Sequence, residues 1–120
     1  MASRILAVDD SPSMRQLVRG TLGGAGYEVT QRADGMEALE YAKANSADLV
    51  LTDVNMPRMD GIALVRELRA LPEYQGIPIL LLTTESSPEL KKQAKDAGCT
   101  GWIVKPFSPA DLLASVKRAL

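Results

Sequence analysis

The sequence of 120 residues contains no histidine and a single cysteine, Cys99. Without histidine, the chain cannot hold a Ser-His-Asp or Cys-His nucleophilic site, nor any zinc site that needs a histidine ligand. Because one cysteine forms neither an internal disulfide nor a C-x-x-C redox pair, we expect a reducing, cytoplasmic location and a packing role for Cys99. The chemistry that remains is that of carboxylates, hydroxyls and lysine.

The sequence also has little net charge and no long apolar run. Fourteen Lys and Arg residues oppose 15 Asp and Glu residues, which gives a net charge of −1. A nucleic-acid backbone requires a basic surface, so we expect no nucleic-acid partner. No apolar run approaches the roughly 20 residues that span a bilayer, and residues 1–4 lead directly into a strand-like run, so we expect no membrane association. The length suits one globular domain that covers residues 1–120.

Short apolar runs alternate with segments of helical periodicity along the whole sequence. The predicted strands cover residues 5–8, 27–31, 48–53, 77–83 and 101–104. Three helical segments open with Ser-Pro, in which serine caps the helix and proline fits its first turn. Strands that alternate with helices predict right-handed βαβ units, and hence a parallel sheet with helices on both faces. Five strands are too few for a closed eight-stranded barrel, so the predicted fold is an open, doubly wound α/β sheet.

Acidic, hydroxyl and basic side chains stand where four of the predicted strands end. They are Asp9 and Asp10 after the first run, Asp53 at the end of the third, Thr83 and Thr84 at the end of the fourth, and Lys105 after the fifth. Ligands of open α/β sheets bind outside the carboxyl ends of the strands, so we expect these side chains to converge. One aspartate after a strand is usually a turn or cap residue, as we expect for Asp34 and Asp60. The joint occurrence at four strand ends favours a binding site instead.

The three carboxylates expected at this edge would repel one another unless a cation joined them. Oxygen-only ligands select Mg²⁺, Mn²⁺ or Ca²⁺ over zinc, and Mg²⁺ combines one or two protein carboxylates with water and phosphate oxygens. Thr83 and Lys105 can hold further phosphoryl oxygens, and one carboxylate is left as the nucleophile that forms an acyl phosphate. The residues therefore predict a site for phosphoryl transfer that depends on a divalent cation.

Four segments of the sequence resemble the receiver domains of bacterial two-component response regulators, and in particular the single-domain chemotaxis regulators of that family. They are ILAVDDSPSMR, LVLTDVNMPRMDG, PILLLTTES and GWIVKPF, in the order and spacing of the family, so the resemblance covers the whole chain. It implies a five-stranded parallel sheet in the flavodoxin-like order 2-1-3-4-5. It also implies a signalling switch activated by phosphorylation, which catalyses only its own phosphorylation and dephosphorylation and is not otherwise an enzyme.

The resemblance assigns a role to each acidic residue of the predicted site. Asp53 matches the phosphoacceptor of the family. Asp9 and Asp10 match the acidic pair that places Mg²⁺, with Asp10 as a direct ligand and Asp9 acting through water, and Mn²⁺ is expected to substitute. The backbone carbonyl of Asn55 matches a further metal ligand, and Thr83 matches the hydroxyl that moves toward the phosphoryl group.

Further matches lie around the phosphate position. Lys105 matches the lysine that contacts the phosphate, and its bond to Pro106 matches a cis peptide, which a proline makes energetically accessible. Trp102 matches the switch aromatic, usually Tyr or Phe, and its large ring with a polar N–H suits a partly exposed position. Thr84 stands where the family more often has Ala or Gly, so we expect it to affect the lifetime of the phosphate. Glu85 and Asn55 flank the site, as the resemblance implies.

The resemblance also implies partners. A sensor histidine kinase of the chemotaxis type would supply the histidine that this chain lacks, a flagellar motor switch protein would receive the signal, and a phosphatase would end it. The implied output surface consists of the fourth helix, the fifth strand and the fifth helix. Lys91, Lys92 and Lys95 lie on that helix and are expected to form a solvated face. A pilus-motility regulator or a phosphorelay intermediate would use the same residues. We expect the protein to act as a monomer.

Two other classes of protein remain as alternatives on the same architecture. A flavin-binding electron carrier would need a loop rich in Gly, Ser and Thr after the first strand, where Asp9 and Asp10 would repel its phosphate. A Mg²⁺-dependent phosphatase similar to the haloacid dehalogenases would carry Asp-x-Asp at this point, whereas this chain has adjacent aspartates. Both alternatives therefore fit the sequence less well than a receiver domain does.

Overall fold

The apolar runs form one parallel sheet in the computed structural model, which describes residues 2–56, 58–84 and 87–120. The strands are β1 (Arg4–Val8), β2 (Glu28–Arg32), β3 (Leu49–Asp53), β4 (Ile79–Thr83) and β5 (Gly101–Val104). Their order across the sheet is β2-β1-β3-β4-β5, and every adjacent pair is parallel. The predicted doubly wound α/β fold and its strand order are confirmed.

Capped helices connect the strands. They are α1 (Pro12–Gly24), α2 (Gly35–Ala44), α3 (Gly61–Arg69), α4 (Pro88–Ala97) and α5 (Pro109–Ala119), with a 3₁₀ turn at Pro72–Tyr74 after α3. Each α-helix follows a residue whose side chain accepts a backbone N–H from the first turn, and these residues are Ser11, Asp34, Asp60, Ser87 and Ser108. Within the described part of the chain, no helix combines the length and apolar character needed to cross a membrane.

Apolar layers cover both faces of the sheet. Alternate residues of a strand point to opposite faces, so Leu6 and Val8 of β1 join the layer beneath α2, α3 and α4, whereas Ile5 and Ala7 join the layer beneath α1 and α5. The central strands β3 and β4 are buried along their whole length. Burial on both faces explains why these strands are nearly continuous apolar runs in the sequence.

Three strands, β2, β3 and β4, begin later than the sequence pattern predicts. The strand β2 starts one residue later, because the N–H of Tyr27 donates to the carbonyl of Leu22 at the end of α1, 3.1 Å away. The strand β4 starts at Ile79, and the carbonyl of Ile77 accepts a hydrogen bond of 2.8 Å from the Arg69 guanidinium. The apolar pattern thus includes residues that pack beside the sheet without belonging to it.

The register of the strands determines which side chains meet at the carboxyl edge. Val8 pairs with Thr52, so Asp9 follows β1 at the level of Asp53 in β3. On the other side of β4, Thr83 pairs with Val104, and Lys105 follows directly. The ends of β1, β3, β4 and β5 therefore deliver their polar residues to one place.

Candidate functional site

Three aspartates form a cluster at the carboxyl edge of the sheet. One carboxylate oxygen from each of Asp9, Asp10 and Asp53 lies within 4.8 Å of the other two. Asp9 and Asp53 are only 3% and 9% exposed, whereas Asp10 is exposed. The cluster thus has a buried floor of two carboxylates and a third carboxylate at the solvent side.

The ammonium of Lys105 lies between the two buried carboxylates. Its Nζ atom is 3.2 Å from Oδ1 of Asp53 and 3.5 Å from Oδ2 of Asp9. Backbone N–H groups orient the same carboxylates, since Ser11 donates to Oδ1 of Asp9 and Val54 donates to Oδ1 of Asp53, both at 2.9 Å. One ammonium faces two carboxylates at close range, so the floor of the cluster keeps an excess of negative charge.

The electrostatics of Asp53 reflect this excess. Burial raises the pKa of the Asp53 carboxyl above its usual value, and the negative charge of Asp9 raises this pKa further. The charge of Lys105 and the hydrogen bond from Val54 lower the pKa without cancelling the increase. A divalent cation among the three carboxylates would remove the repulsion. Because every donor in the cluster is an oxygen, the residues fit a hard cation such as Mg²⁺.

Hydrogen bonds fix the loop that follows Asp53, both between its two ends and at Arg58. The N–H of Gly61 donates to the carbonyl of Val54 at 2.8 Å, and a Cβ atom at Gly61 would lie 2.2 Å from the carbonyl oxygen of Asp53. Arg58 adopts a left-handed backbone with φ of 67°, and its Nε and Nη2 atoms donate to Oδ2 of Asp34 at 3.1 and 2.5 Å. The backbone that follows the buried carboxylate is therefore tied to the start of α2.

Thr83 and Trp102 line one recess between β4, β5 and α4. Thr83 lies at the end of β4 and is 4% exposed, whereas Trp102 lies on the edge strand β5 and is 40% exposed. The same recess is lined by Leu81, Leu90, Lys91 and Ala94. The buried Thr83 at the end of β4 and the exposed Trp102 thus border the same recess.

The remaining residues singled out from the sequence lie around the cluster. Asn55 and Thr84 are exposed, and Glu85 lies outside the described residues. The Lys105–Pro106 peptide bond is cis, as the resemblance implies. The strand ends therefore bring Asp9, Asp10, Asp53 and Lys105 into direct proximity, while the side chains of Asn55 and Thr84 face solvent.

Two arginines that were not predicted from the sequence hold the backbone of the site. Arg15, on α1, donates through Nη1 to the backbone carbonyl of Asp9 at 2.7 Å. Arg58 makes the ion pair with Asp34 across 24 residues of sequence. The position of Arg15 one turn into α1 was a usable signal, because the helix starts directly after Asp9 and Asp10. The pairing of Arg58 depends on a left-handed backbone that nothing local in the sequence indicates.

The open parallel sheet carries its cluster of aspartates at the C-terminal ends of the strands. Domains of the doubly wound α/β class bind their ligands at this edge. The sequence model described as the response regulator receiver domain matches residues 5–117. The chain belongs to this family, as its motifs predicted.

Individual relatives agree with the family. The chain is 44% identical over 110 residues to chemotaxis protein CheY-3 of Vibrio cholerae, which covers 91% of this chain and 85% of that protein. It is 50% identical to the solved chemotaxis protein CheY4 of Vibrio cholerae, with a TM-score of 0.97 and full coverage of both chains. A receiver domain of a sensor histidine kinase from Pseudomonas aeruginosa is 31% identical, with a TM-score of 0.91 and coverage of 99% and 98%. That structure holds a magnesium ion coordinated in its active site cleft.

Proposed function

We propose that residues 1–120 act as one receiver domain, in which Asp53 accepts a phosphoryl group from a sensor histidine kinase in a reaction that needs Mg²⁺. The observation that carries this proposal is the geometry around Asp53. Its carboxylate is almost buried, lies 3.2 Å from the Lys105 ammonium and has two further carboxylates within 4.8 Å. A carboxylate with a cation on one side and metal ligands on the other suits a nucleophile for phosphoryl transfer.

The acidic cluster supplies the ligands for the metal. We assign Asp10, Asp53 and the backbone carbonyl of Asn55 as direct ligands and Asp9 as a ligand through water, for Mg²⁺ or, by the same donor chemistry, Mn²⁺. When bound, the ion would neutralise charge on the carboxylates and on the phosphoryl oxygens. Asp9 is already oriented for this role, since its two oxygens are held by the Ser11 N–H and by Lys105.

The transfer itself follows from the environment of Asp53. The Val54 N–H and the Lys105 ammonium both contact Oδ1, so we assign Oδ2 as the attacking oxygen. Oδ2 forms a bond to phosphorus while the P–N bond of the phosphohistidine breaks, and the electron pair of that bond returns to the imidazole nitrogen. Lys105 stays beside the transferred group and stabilises its negative oxygens, as a point charge does in other phosphate sites.

We assign the response to Thr83 and Trp102. A phosphoryl group on Asp53 adds negative charge and acceptor oxygens, which would draw the Thr83 hydroxyl toward it. Because Thr83 and Trp102 line one recess, movement of Thr83 changes the space available to the indole. The surface of α4, β5 and α5 would then present a different shape to a partner.

For the partners, we propose a chemotaxis-type sensor histidine kinase upstream and a flagellar motor switch protein downstream. Similarity to proteins named for chemotaxis supports this assignment. A test is capture of the candidate target by the chain with and without the phosphoryl mimic beryllofluoride. We expect capture of a motor switch protein only in the presence of the mimic, and capture that ignores the mimic would contradict the assignment.

Labelling with a small phosphodonor tests the proposed phosphorylation. Acetyl phosphate with Mg²⁺ should add the mass of one labile phosphoryl group and change Trp102 fluorescence, and both effects should be lost in Asp53→Asn. Asp48→Asn is a matched control, because Asp48 directly precedes the same strand at its opposite end and binds the backbone of Arg4. Label that persists in Asp53→Asn would place the nucleophile elsewhere and contradict the proposal. Omission of Mg²⁺ should abolish labelling of the unmodified protein.

A further inference from the structure

The ammonium of Lys91 lies over the ring of Trp102. The Nζ atom is 5.3 Å from the ring centroid, within the range in which a cation is attracted to an aromatic face. Tryptophan has the strongest such attraction among the aromatic side chains. Lys91 therefore differs from the solvated lysine that its place in the sequence suggested, because its charge has a partner on the neighbouring strand.

The recess beneath the indole is too small to receive it. Its free volume is about 10 Å³, which is roughly the space of one water molecule. Leu90 and Lys91 of α4 form part of its wall, together with Thr83 on β4. An indole that turns inward must therefore displace side chains of α4 as well as leave the ammonium of Lys91.

We propose that Lys91 is a positioning residue that holds Trp102 in its outward orientation in the unphosphorylated protein. Lys91 lines the recess, and its ammonium attracts the exposed ring, so this one residue opposes the inward turn in two ways. Lys92 carries the same charge on the adjacent position of α4, about 100° around the helix, and does not line the recess. The position of α4 and the rotamer of Trp102 are thereby coupled through Lys91.

The consequence for the switch rests on the proposed function. In the proposed function, the active form has Trp102 turned inward. The attraction of Lys91 then adds to the free energy that phosphorylation must supply before the active form dominates. An exposed cation–π pair changes an equilibrium by about two- to fivefold. Loss of the charge at position 91 should therefore increase the inward fraction of Trp102 by about this factor without any phosphoryl group.

The test is Lys91→Met, which removes the charge and keeps an unbranched apolar stem, with Lys92→Met as the matched control. Trp102 is the sole tryptophan of the chain, so its fluorescence and its Hα–Hβ couplings in NMR spectra are read without interference. We expect Lys91→Met to shift the couplings toward a second rotamer and to reduce quenching by acrylamide in unphosphorylated protein. Lys92→Met should give the couplings and quenching of the unmodified protein. Lys91→Arg should give the same values, because a guanidinium also binds an aromatic face.

Two results would overturn the proposal. Lys91→Met with the couplings and quenching of the unmodified protein would show that the ammonium does not hold the ring, and an equal effect of Lys92→Met would show a general loss of charge. If Lys91→Met fails to fold by circular dichroism, Lys91→Gln provides the same comparison. The proposed function is tested separately, by the mass of the protein after treatment with acetyl phosphate. If Asp53 takes up no phosphoryl group, the proposed function fails, but the rotamer measurement on unphosphorylated protein still tests the role of Lys91.

Discussion

The Lys105 ammonium lies 3.2 Å from the Oδ1 atom of Asp53, and this ion pair is made in an almost buried pocket. The same ammonium also faces Asp9 at 3.5 Å, so it cannot compensate both carboxylates in full. The pKa of Asp53 is raised by burial first and by the charge of Asp9 second. In the absence of metal, ionised Asp53 therefore opposes folding, although it is the residue on which the proposed function depends.

Asp53→Asn should stabilise the metal-free protein at neutral pH. The pKa of Asp53 is higher in the folded protein than in the unfolded chain, where an aspartate ionises at about pH 4. The protein therefore loses stability as the pH rises from about 4 through the folded pKa. We expect the variant to have a higher free energy of unfolding than the unmodified protein at pH 7, measured by urea denaturation in EDTA. The gain should vanish below pH 4 and shrink when Mg²⁺ binds the unmodified protein. A variant less stable than the unmodified protein at pH 7 would contradict the expectation.

The fold and the acidic part of the site were predictable because their signals are local. Ser-Pro at three helix starts and polar residues at the ends of apolar runs are each signals that span a few positions of sequence. Asp9, Asp53 and Lys105 then meet because strand order and register bring them together. The strand order came from the family resemblance, since alternation of strands and helices predicts a parallel sheet without its order.

Other features were not predictable because they join distant residues through geometry. Arg58 reaches Asp34 only because its backbone is left-handed, and Lys91 meets Trp102 only after α4 has packed beside β5. Tyr74 is fully buried although its neighbours Glu73 and Gln75 are polar, so the apolar pattern did not include it in the core. Each case requires tertiary packing that the periodicity of one segment does not contain.

Gly61→Ala should damage both stability and phosphorylation. A Cβ atom at this position would lie 2.2 Å from the carbonyl oxygen of Asp53, and backbone atoms on either side cannot move away cheaply. We expect a loss of about 1–3 kcal/mol in urea denaturation and a lower labelling rate with acetyl phosphate, because the strand end that carries Asp53 must shift. Gly20→Ala is the control: it has open space, lies within α1 and should gain up to about 1 kcal/mol. Normal labelling by Gly61→Ala would contradict the predicted shift.

Tyr74→Phe should destabilise the protein by about 1 kcal/mol, because the buried hydroxyl donates a 2.6 Å hydrogen bond to the carbonyl of Asn45. Burial raises the pKa of Tyr74 to about 12. A spectrophotometric titration should therefore show one tyrosine that ionises near pH 12, and this step should disappear in the variant. Tyr41→Phe serves as the control, since its hydroxyl makes only a 3.4 Å contact with Thr30. An unchanged titration curve for Tyr74→Phe would contradict the assignment.

Asp34→Asn should lower stability at neutral pH but not in acid. The hydrogen bond from the Glu37 N–H lowers the pKa of Asp34, burial opposes this effect, and Arg58 lowers the pKa further. A carboxylate with a lowered pKa contributes stability above about pH 4, and that contribution is lost as the pH falls through the folded pKa. Asparagine still caps α2, so the variant isolates the charge, whereas Asp34→Ala should cost about 1 kcal/mol more through loss of the cap. Urea denaturation between pH 7 and pH 3 checks this expectation, and a difference between Asp34→Asn and the unmodified protein that stays constant over that range would contradict it.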